Sequence, residues 1–441
     1  MSPSQIASDA FQAAKAGVPQ SNSSCLEFLP NELMDIILDF CDPEAMISLA
    51  LTGPILYNFI KSQEARLSAR VVGRTINKEL MQLAIARRCA EAAGWRAHGY
   101  KDTPDQTSRQ VNEFIDRFLI GADNDFENRT LGWAYNLCSF HEAVLNYAHV
   151  LSQRAVTRGP RRFAPDATFP RAIMTVTEGE FARFCRALYI HQIYCGIFPV
   201  QTSNDGGLKQ VMKRLQMKFS PWENQQIRCI HFMLRDHFKR QFVANEMENG
   251  TEQWLPNLDF LPKFVVSQNL RVMMRHEING SIKNYIMGME SQNRDFEHYR
   301  SQVPFRCRDK DWLLQIREQG TIRLTIHQIL SRYEDTDTGP QEAWLHTLLD
   351  GLFGLNEEDG PDDEEDEELR LCCMFCCERC MTHWGFVFWD RDKLLWHSHW
   401  YMPTLEEMVD GSEGLQVDYR DYKDAISCRE DGICLFDDEY D

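Results

Sequence analysis

Five cysteines and a histidine lie within twelve residues, 372–383, and form the densest group of candidate metal ligands in the chain. Zinc takes four thiolate or imidazole ligands in a tetrahedron, and pairs of the CxxC type supply such ligands. The spacing allows a structural zinc, to which His397 or His399 could also contribute. The ligand set predicted for this zinc is Cys373, Cys376, Cys380 and His383.

The same segment also fits a helix over 369–383, on which the cysteines fall on one face and would pack as small apolar side chains. A continuous helix cannot place four ligands around one ion, and the pairs lack the usual separation of ~12–20 residues. Packing is therefore the favoured interpretation. We expect no cofactor, and a structural zinc stays as the alternative.

Enzyme signatures give no further candidate. The chain has no Walker phosphate loop, no dinucleotide-binding GxGxxG, no GxSxG elbow and no HExxH motif. His397 and His399 could be combined with Asp390 into a hydrolytic metal site, but this spacing is too common to indicate one. We therefore name no catalytic residue and predict that the chain is not an enzyme.

The negative charge of the 441-residue chain is concentrated in two segments. Ten of the twelve residues in 357–368 are acidic, and 401–441 has thirteen acidic against three basic residues. These segments sum to −20 and the whole chain to −19, so the other 388 residues come to about +1. A nearly neutral body argues against a general nucleic-acid binder.

Membrane and secretion signals are not found in the sequence. No apolar stretch reaches the ~18 residues that a membrane span needs, and the first twenty residues show no secretory signal. We therefore expect no membrane partner, a location in the cytoplasm or nucleus, and reduced cysteines.

Helical patterns dominate the chain, and the predicted fold is mainly α. Thr177 with Glu180, and Ser220 with Glu223, fit capping boxes that open helices. The consecutive apolar residues of 384–390 predict a buried strand, so the C-terminal portion is expected to be small and α+β. Other predicted helices cover 76–94, 108–120, 128–153, 262–288, 310–332 and 342–355.

Residues 26–60 carry the most informative pattern, because the first helix there has two apolar stripes. Between positions 33 and 41 only Asp35 and Asp39 are polar. One stripe can pack on neighbouring helices, whereas the other needs a partner or the rest of the chain, and the sequence leaves both interpretations open. The stripes are Leu33, Ile36, Ile37 and Phe40, and Met34, Leu38 and Cys41.

This segment resembles an F-box, the three-helix motif that binds the Skp-family adaptor of cullin-based ubiquitin ligases. The resemblance lies in LPNELMDIIL at 29–38, an Asp-Pro turn, LALT at 49–52, and Leu56-Tyr57. Many family members carry Cys-Arg or Ser-Arg where this chain has Gly53-Pro54. The residues that the resemblance implies for adaptor binding are Leu29, Pro30, Leu33, Ile37, Leu38, Leu49 and Leu56.

Three further stretches, 181–198, 219–230 and 384–394, resemble a large set of fungal F-box-type proteins. The resemblance implies a non-catalytic substrate-recognition subunit, with an unknown protein target and with cullin reached through the adaptor. The alternatives are an F-box protein in an adaptor-only complex and a zinc-stabilised regulator built on 372–399. The implied organisation is a disordered 1–24, an F-box at 26–65, a helical substrate-binding region at 66–355, an acidic linker at 356–368, a Cys/Trp-rich segment at 369–411 and an acidic tail at 412–441.

Overall fold

The structure is a computed structural model, and almost all of the residues that it describes are helical. None of these residues is in a strand, which confirms the prediction of a mainly α protein. The predicted zinc ligands, the acidic linker and the acidic tail lie outside the described residues. The described residues are 29–91, 104–121, 129–163, 175–198, 212, 214–249, 269–278, 339–344 and 385–398.

The helices agree well with the sequence patterns that predict them. The helix predicted over 310–332 lies outside the described residues, and 339–344 is helical at the start of the one predicted over 342–355. In chain order the named helices are α1 (Asn31–Phe40), α2 (Pro43–Ala50), α3 (Pro54–Ser62), α4 (Glu64–Thr75), α5 (Lys78–Ala90), α6 (Pro104–Phe114, continued by a π-helical turn Ile115–Ile120), α7 (Leu131–Phe163), α8 (Glu178–Ile197), α9 (Pro221–Asn249), α10 (Leu270–Ile278) and α11 (Arg391–Ser398).

The chain divides into two compact units. Of the described residues, 29–91, 113–121 and 129–145 belong to the first unit, and 104–112 and 146–398 to the second. The predicted F-box therefore shares its unit with α4, α5 and the first part of α7.

Prolines and caps define the helix starts of the first unit. α2 and α3 each begin at a proline, where the missing N–H costs nothing. The Asp42 side chain caps α2 by accepting a hydrogen bond of 2.7 Å from the Ala45 N–H. The Glu64 carboxylate of α4 accepts from the Leu131 N–H at 2.9 Å and so caps α7 within this unit. The core is apolar and includes Met46, Leu67, Val71, Ile85 and Phe140.

Capping boxes open the two central helices of the second unit, as predicted. At α8, Thr177 Oγ1 accepts from the Glu180 N–H and Glu180 Oε2 accepts from the Thr177 N–H. At α9, Ser220 and Glu223 make the same reciprocal pair, at 3.2 and 2.8 Å. The two helices pack on each other. One face of α9 is apolar and buried, and it comprises Ile227, Ile230, Leu234 and Phe238.

The strand predicted over 384–390 is wrong for the described residues 385–390. Gly385 adopts a left-handed φ of 70°, Phe386–Phe388 form a 3₁₀ turn, and Trp389 after the turn is extended. The prediction of burial is confirmed, because the four side chains of 386–389 are at most 1% exposed. An apolar run indicates burial without specifying the backbone conformation, and here the positive φ at Gly385 starts a turn.

Candidate docking surface

α1 presents three faces that differ in their surroundings. The first face packs inward, where Met34 and Leu38 are 6% and 2% exposed. Cys41 Sγ, on the same face, donates a hydrogen bond to the Ile37 carbonyl at 3.3 Å. Of the two apolar stripes in the sequence, this one provides the packing of the helix.

The second face is acidic and lies against α4. Arg66 forms a two-pronged ion pair with Asp35, in which Nη1 donates to Oδ2 at 2.9 Å, and Arg70 pairs with Asp39. One turn further, Arg74 Nη2 donates to the Cys41 carbonyl at 2.9 Å. We call these contacts the arginine ladder.

The arginine ladder fixes the register of α1 on α4. Its arginines are four residues apart, and their partners advance along α1 in the same direction, so the two helices run parallel. The hydrogen bond from Arg66 lowers the pKa of the Asp35 carboxyl. Both ion pairs are solvent-accessible, so they contribute little to global stability and act chiefly on the rotation of α1.

The third face is apolar and exposed. Leu33, Ile36 and Phe40 are 47%, 54% and 84% exposed, and Ile37 beside them is half-buried. On a helical wheel these four residues cover an arc of about 100°. We call Leu33, Ile36 and Phe40 the exposed stripe.

Exposed apolar side chains cluster around this part of the chain. Seven large apolar side chains are exposed among the described residues, and five of them lie between positions 33 and 55. Beyond the exposed stripe these are Leu51 and Ile55, at the junction of α2 and α3. A concentration of this kind is typical of a surface that another molecule covers.

The structure separates the predicted adaptor-binding residues into three groups. Leu38 and Leu56 are 2% and 1% exposed and serve the core. Leu29, Ile37 and Leu49 are half-buried. Pro30 and Leu33 are exposed.

The predicted site lacked four exposed residues. Ile36 and Phe40 belong to the stripe that the sequence shows, so helical periodicity was the available signal. Leu51 and Ile55 stand at helix ends, where periodicity carries no information about exposure. The exposed apolar surface of residues 33–55 is therefore larger than the set of adaptor-binding residues that the F-box motif implies.

The described residues of 181–198, 219–230 and 384–394 meet in space within the second unit. α8 covers most of 181–198, α9 starts inside 219–230, and the turn at 386–388 packs on both helices. The Phe184 and Phe388 rings stack with centroids 3.9 Å apart and planes 17° apart. The turn is core packing, and we call 385–394 the clasp.

Polar contacts anchor the backbone of the clasp. Gln226 Nε2 donates to the Val387 carbonyl at 2.8 Å, and Arg183 Nη1 donates to the Phe388 carbonyl at 2.7 Å. Arg183 also pairs with Asp390 at 2.8 Å. Side chains of α8 and α9 thus satisfy carbonyl groups that a strand would pair with a neighbour.

Glu180 joins the capping box to the clasp. Its side chain is fully buried, and besides capping α8 it accepts from the Asp390 N–H at 3.0 Å. Lys393 Nζ pairs with it at 2.5 Å and also donates to the Thr175 carbonyl at 2.8 Å. A buried carboxylate with this many donors is well compensated for the loss of water.

The helix 339–344 packs against the clasp. Arg391 forms an ion pair with Glu342. Gly339 lies so close to the clasp backbone that a Cβ there would be 2.8 Å from the Trp389 carbonyl oxygen. Trp344 packs near Trp222, with ring centroids 6.3 Å apart.

A buried histidine pair lies between α8 and α9. His191 Nε2 is 3.4 Å from His231 Nδ1, and the His191 side chain is fully buried. Burial lowers the pKa of His191 to about 3. At neutral pH this imidazole is therefore uncharged.

Metal ligation and membrane insertion find no support in the described parts of the chain. There, no three His, Cys, Asp or Glu side chains come together as a metal site. Within the same ranges, no helix combines the length and the apolar character that crossing a bilayer demands. Comparisons of the chain with protein-family models, with curated proteins and with solved structures find no match.

Proposed function

We propose that residues 26–65 are an F-box and that the chain is a substrate-recognition subunit of a Skp–cullin–F-box ubiquitin ligase. The observation that carries this proposal is the exposed stripe of α1, which a folded unit leaves uncovered next to its own packed face. An exposed apolar helix face is the kind of surface that a helical adaptor covers.

The energy available at the exposed stripe is sufficient for a specific complex. Burying one Leu, Ile or Phe side chain contributes about 1.5–3 kcal/mol. Three such residues together offset several kcal/mol of the cost of association. The arginine ladder supports the proposal further, because a helix whose rotation is already fixed loses less conformational entropy when it binds.

In this proposal the chain performs no chemistry. It holds a target protein while other ligase subunits supply ubiquitin, and the rate increases because target lysines are kept at a high effective concentration. The second unit, with its anchored clasp, is the part proposed to present the target.

The test is co-expression of the full chain with a Skp-family adaptor. We expect a one-to-one complex with the wild-type chain, and at least a ~100-fold loss of affinity for a triple variant Leu33→Ser/Ile36→Ser/Phe40→Ser, since ~3 kcal/mol corresponds to that factor. A Leu29→Ala/Pro30→Ala variant tests the residues that precede α1.

Ile120→Ser is the matched control. Ile120 is 58% exposed in the same unit but lies away from α1 in sequence, so its replacement should leave adaptor binding unchanged. A wild-type chain that folds but does not bind the adaptor would refute the proposal, and so would a triple variant that binds normally. Addition of a cullin to the complex distinguishes a ligase from an adaptor-only assembly.

A further inference from the structure

The three faces of α1 are spread almost evenly around the helix. Successive residues of a helix are rotated by about 100°, so the inward face, the acidic face and the exposed stripe are separated by about 110–130°. The core of the first unit holds α1 on one of these sides, and the arginines of α4 hold it on the second. The exposed stripe is the third side.

The inward face alone constrains the rotation of α1 weakly. Of the ten residues of α1 only Met34 and Leu38 are buried. Apolar contacts are non-directional, so a short helix held on one side can still rock about that side. A fixed orientation of the exposed stripe therefore needs a second contact at another angle around the helix.

The arginine ladder supplies this second contact with directional hydrogen bonds. Arg66 donates to both carboxylate oxygens of Asp35, and Arg70 pairs with Asp39 one turn further. Arg66 also donates to the Gln63 side chain just before α4, so its guanidinium is itself held in place. Two pairs at successive turns set both the rotation and the register of α1.

The arginines of the ladder lie outside the segment that the F-box motif covers. That segment ends at residue 65, and Arg66, Arg70 and Arg74 follow it at helical spacing along α4. Leu67 and Val71 of the same helix are buried in the core of the first unit. α4 is thus anchored in the core while its arginines reach α1.

We propose that Arg66 and Arg70 are positioning residues for adaptor docking, so that the docking module extends beyond 26–65 through α4. This inference rests on the proposed function. Neither arginine needs to touch the adaptor, because both reach α1 at about 110° from the exposed stripe. Their ion pairs are solvent-accessible and add little to global stability, so they act on the orientation in which the stripe is presented.

The test uses the full chain with the double substitution Arg66→Met/Arg70→Met, which removes the charges and keeps long side chains. We expect binding to a Skp-family adaptor, measured by calorimetry, to weaken about 5- to 10-fold, with little change in urea denaturation. Hydrogen exchange of the α1 amides in the chain without adaptor should be about fivefold faster, because a helix held on one side opens more often.

Arg88→Met is the matched control. Arg88 is 39% exposed, as Arg70 is, and it belongs to the same unit, but it pairs with Glu91 at the end of α5. This variant should keep the affinity and the exchange of the wild type. The swap Asp35→Arg/Arg66→Asp re-forms a pair of reversed polarity, and it should recover most of the affinity that Arg66→Asp alone loses.

The outcomes separate the role of the ladder from the proposed function. In a wild-type chain that binds the adaptor, unchanged affinity of the double methionine variant would overturn the positioning role. A swap without recovery would do the same, because it would indicate that Arg66 contacts the adaptor directly. Unchanged exchange of α1 would overturn the role whether or not the adaptor binds. A folded wild-type chain that does not bind the adaptor would instead refute the proposed function.

Discussion

The exposed stripe of α1 and residues 386–389 of the clasp both consist of large apolar side chains, but they have opposite surroundings. Phe40 is 84% exposed, whereas Phe388 is fully buried against Phe184. The clasp is held by side chains that reach its backbone carbonyls, and nothing comparable holds the stripe. The backbone groups of α1 are hydrogen-bonded within the helix. The apolar face of α1 can therefore lie on the surface without leaving any backbone group unpaired.

The difference in backbone conformation distinguishes an apolar segment of the core from an apolar interface within one chain. An apolar run in an irregular segment must be buried and its carbonyls satisfied by distant residues. An apolar face on a regular helix has no such requirement and can remain at the surface until a partner covers it. The two phenylalanines let the comparison be tested with one type of substitution.

The largest effect is expected for Phe388→Ala. Replacing a fully buried phenylalanine leaves a cavity and costs about 3–5 kcal/mol in the free energy of unfolding. The same substitution at Phe40 should change that free energy by less than about 0.5 kcal/mol. Urea denaturation of both variants measures the contrast, and similar losses at the two positions would remove the distinction between clasp and stripe.

A somewhat smaller loss, about 3 kcal/mol, is expected for Lys393→Met. The variant leaves the Glu180 carboxylate buried without its cation, and removing one partner of a buried pair is strongly destabilising. Urea denaturation again gives the value. Asp392→Asn, at an exposed position next to Lys393, is the control and should unfold like the wild type. Adaptor binding should survive Lys393→Met, since α1 belongs to the other unit.

Lowering the pH from 7 to 5 is expected to reduce the free energy of unfolding of the second unit by about 2 kcal/mol. The pKa of His191 is near 3 in the folded chain and about 6.5 when unfolded, so the unfolded state binds the proton more readily. The stability that depends on neutral His191 is complete above pH 6.5 and is lost as the pH falls from there toward 3.

The pH dependence is measured by urea denaturation at both pH values in wild type and His191→Gln. The variant should lose clearly less stability on acidification, and His149→Gln, at an exposed helical position, should behave as the wild type. Residues 29–91 contain no histidine, so the first helices offer no equivalent response. An unchanged pH dependence in His191→Gln would mean that other groups control acid unfolding.

Local sequence signals were sufficient for much of the fold. The capping boxes at Thr177 and Ser220 depend on residues three positions apart, and both were predicted correctly. The clasp could not be predicted in this way. Its conformation depends on Arg183 and Gln226, which lie 205 and 161 residues away in the sequence.

For α1 too, local sequence patterns predicted the helix, and contacts distant in the sequence decided which of its faces is exposed. Helical periodicity gave both apolar stripes, but it could not decide which one the chain itself would cover. That choice depends on the arginine ladder, whose ion pairs join residues 31 positions apart. The motif also drew the core residues Leu38 and Leu56 into the predicted adaptor-binding set, because a motif records which residue types recur and not which side chains reach solvent.

The meeting of 339–344 with the clasp has a consequence for how this chain can vary. A Cβ at position 339 would lie 2.8 Å from the Trp389 carbonyl oxygen and 3.0 Å from the Arg391 backbone nitrogen, and neither backbone atom can rotate out of the way. Any residue larger than glycine would therefore force the helix 339–344 and the clasp apart. Position 339 is thus expected to accept glycine alone, so the space of one hydrogen atom limits how the sequence can change where these two segments meet.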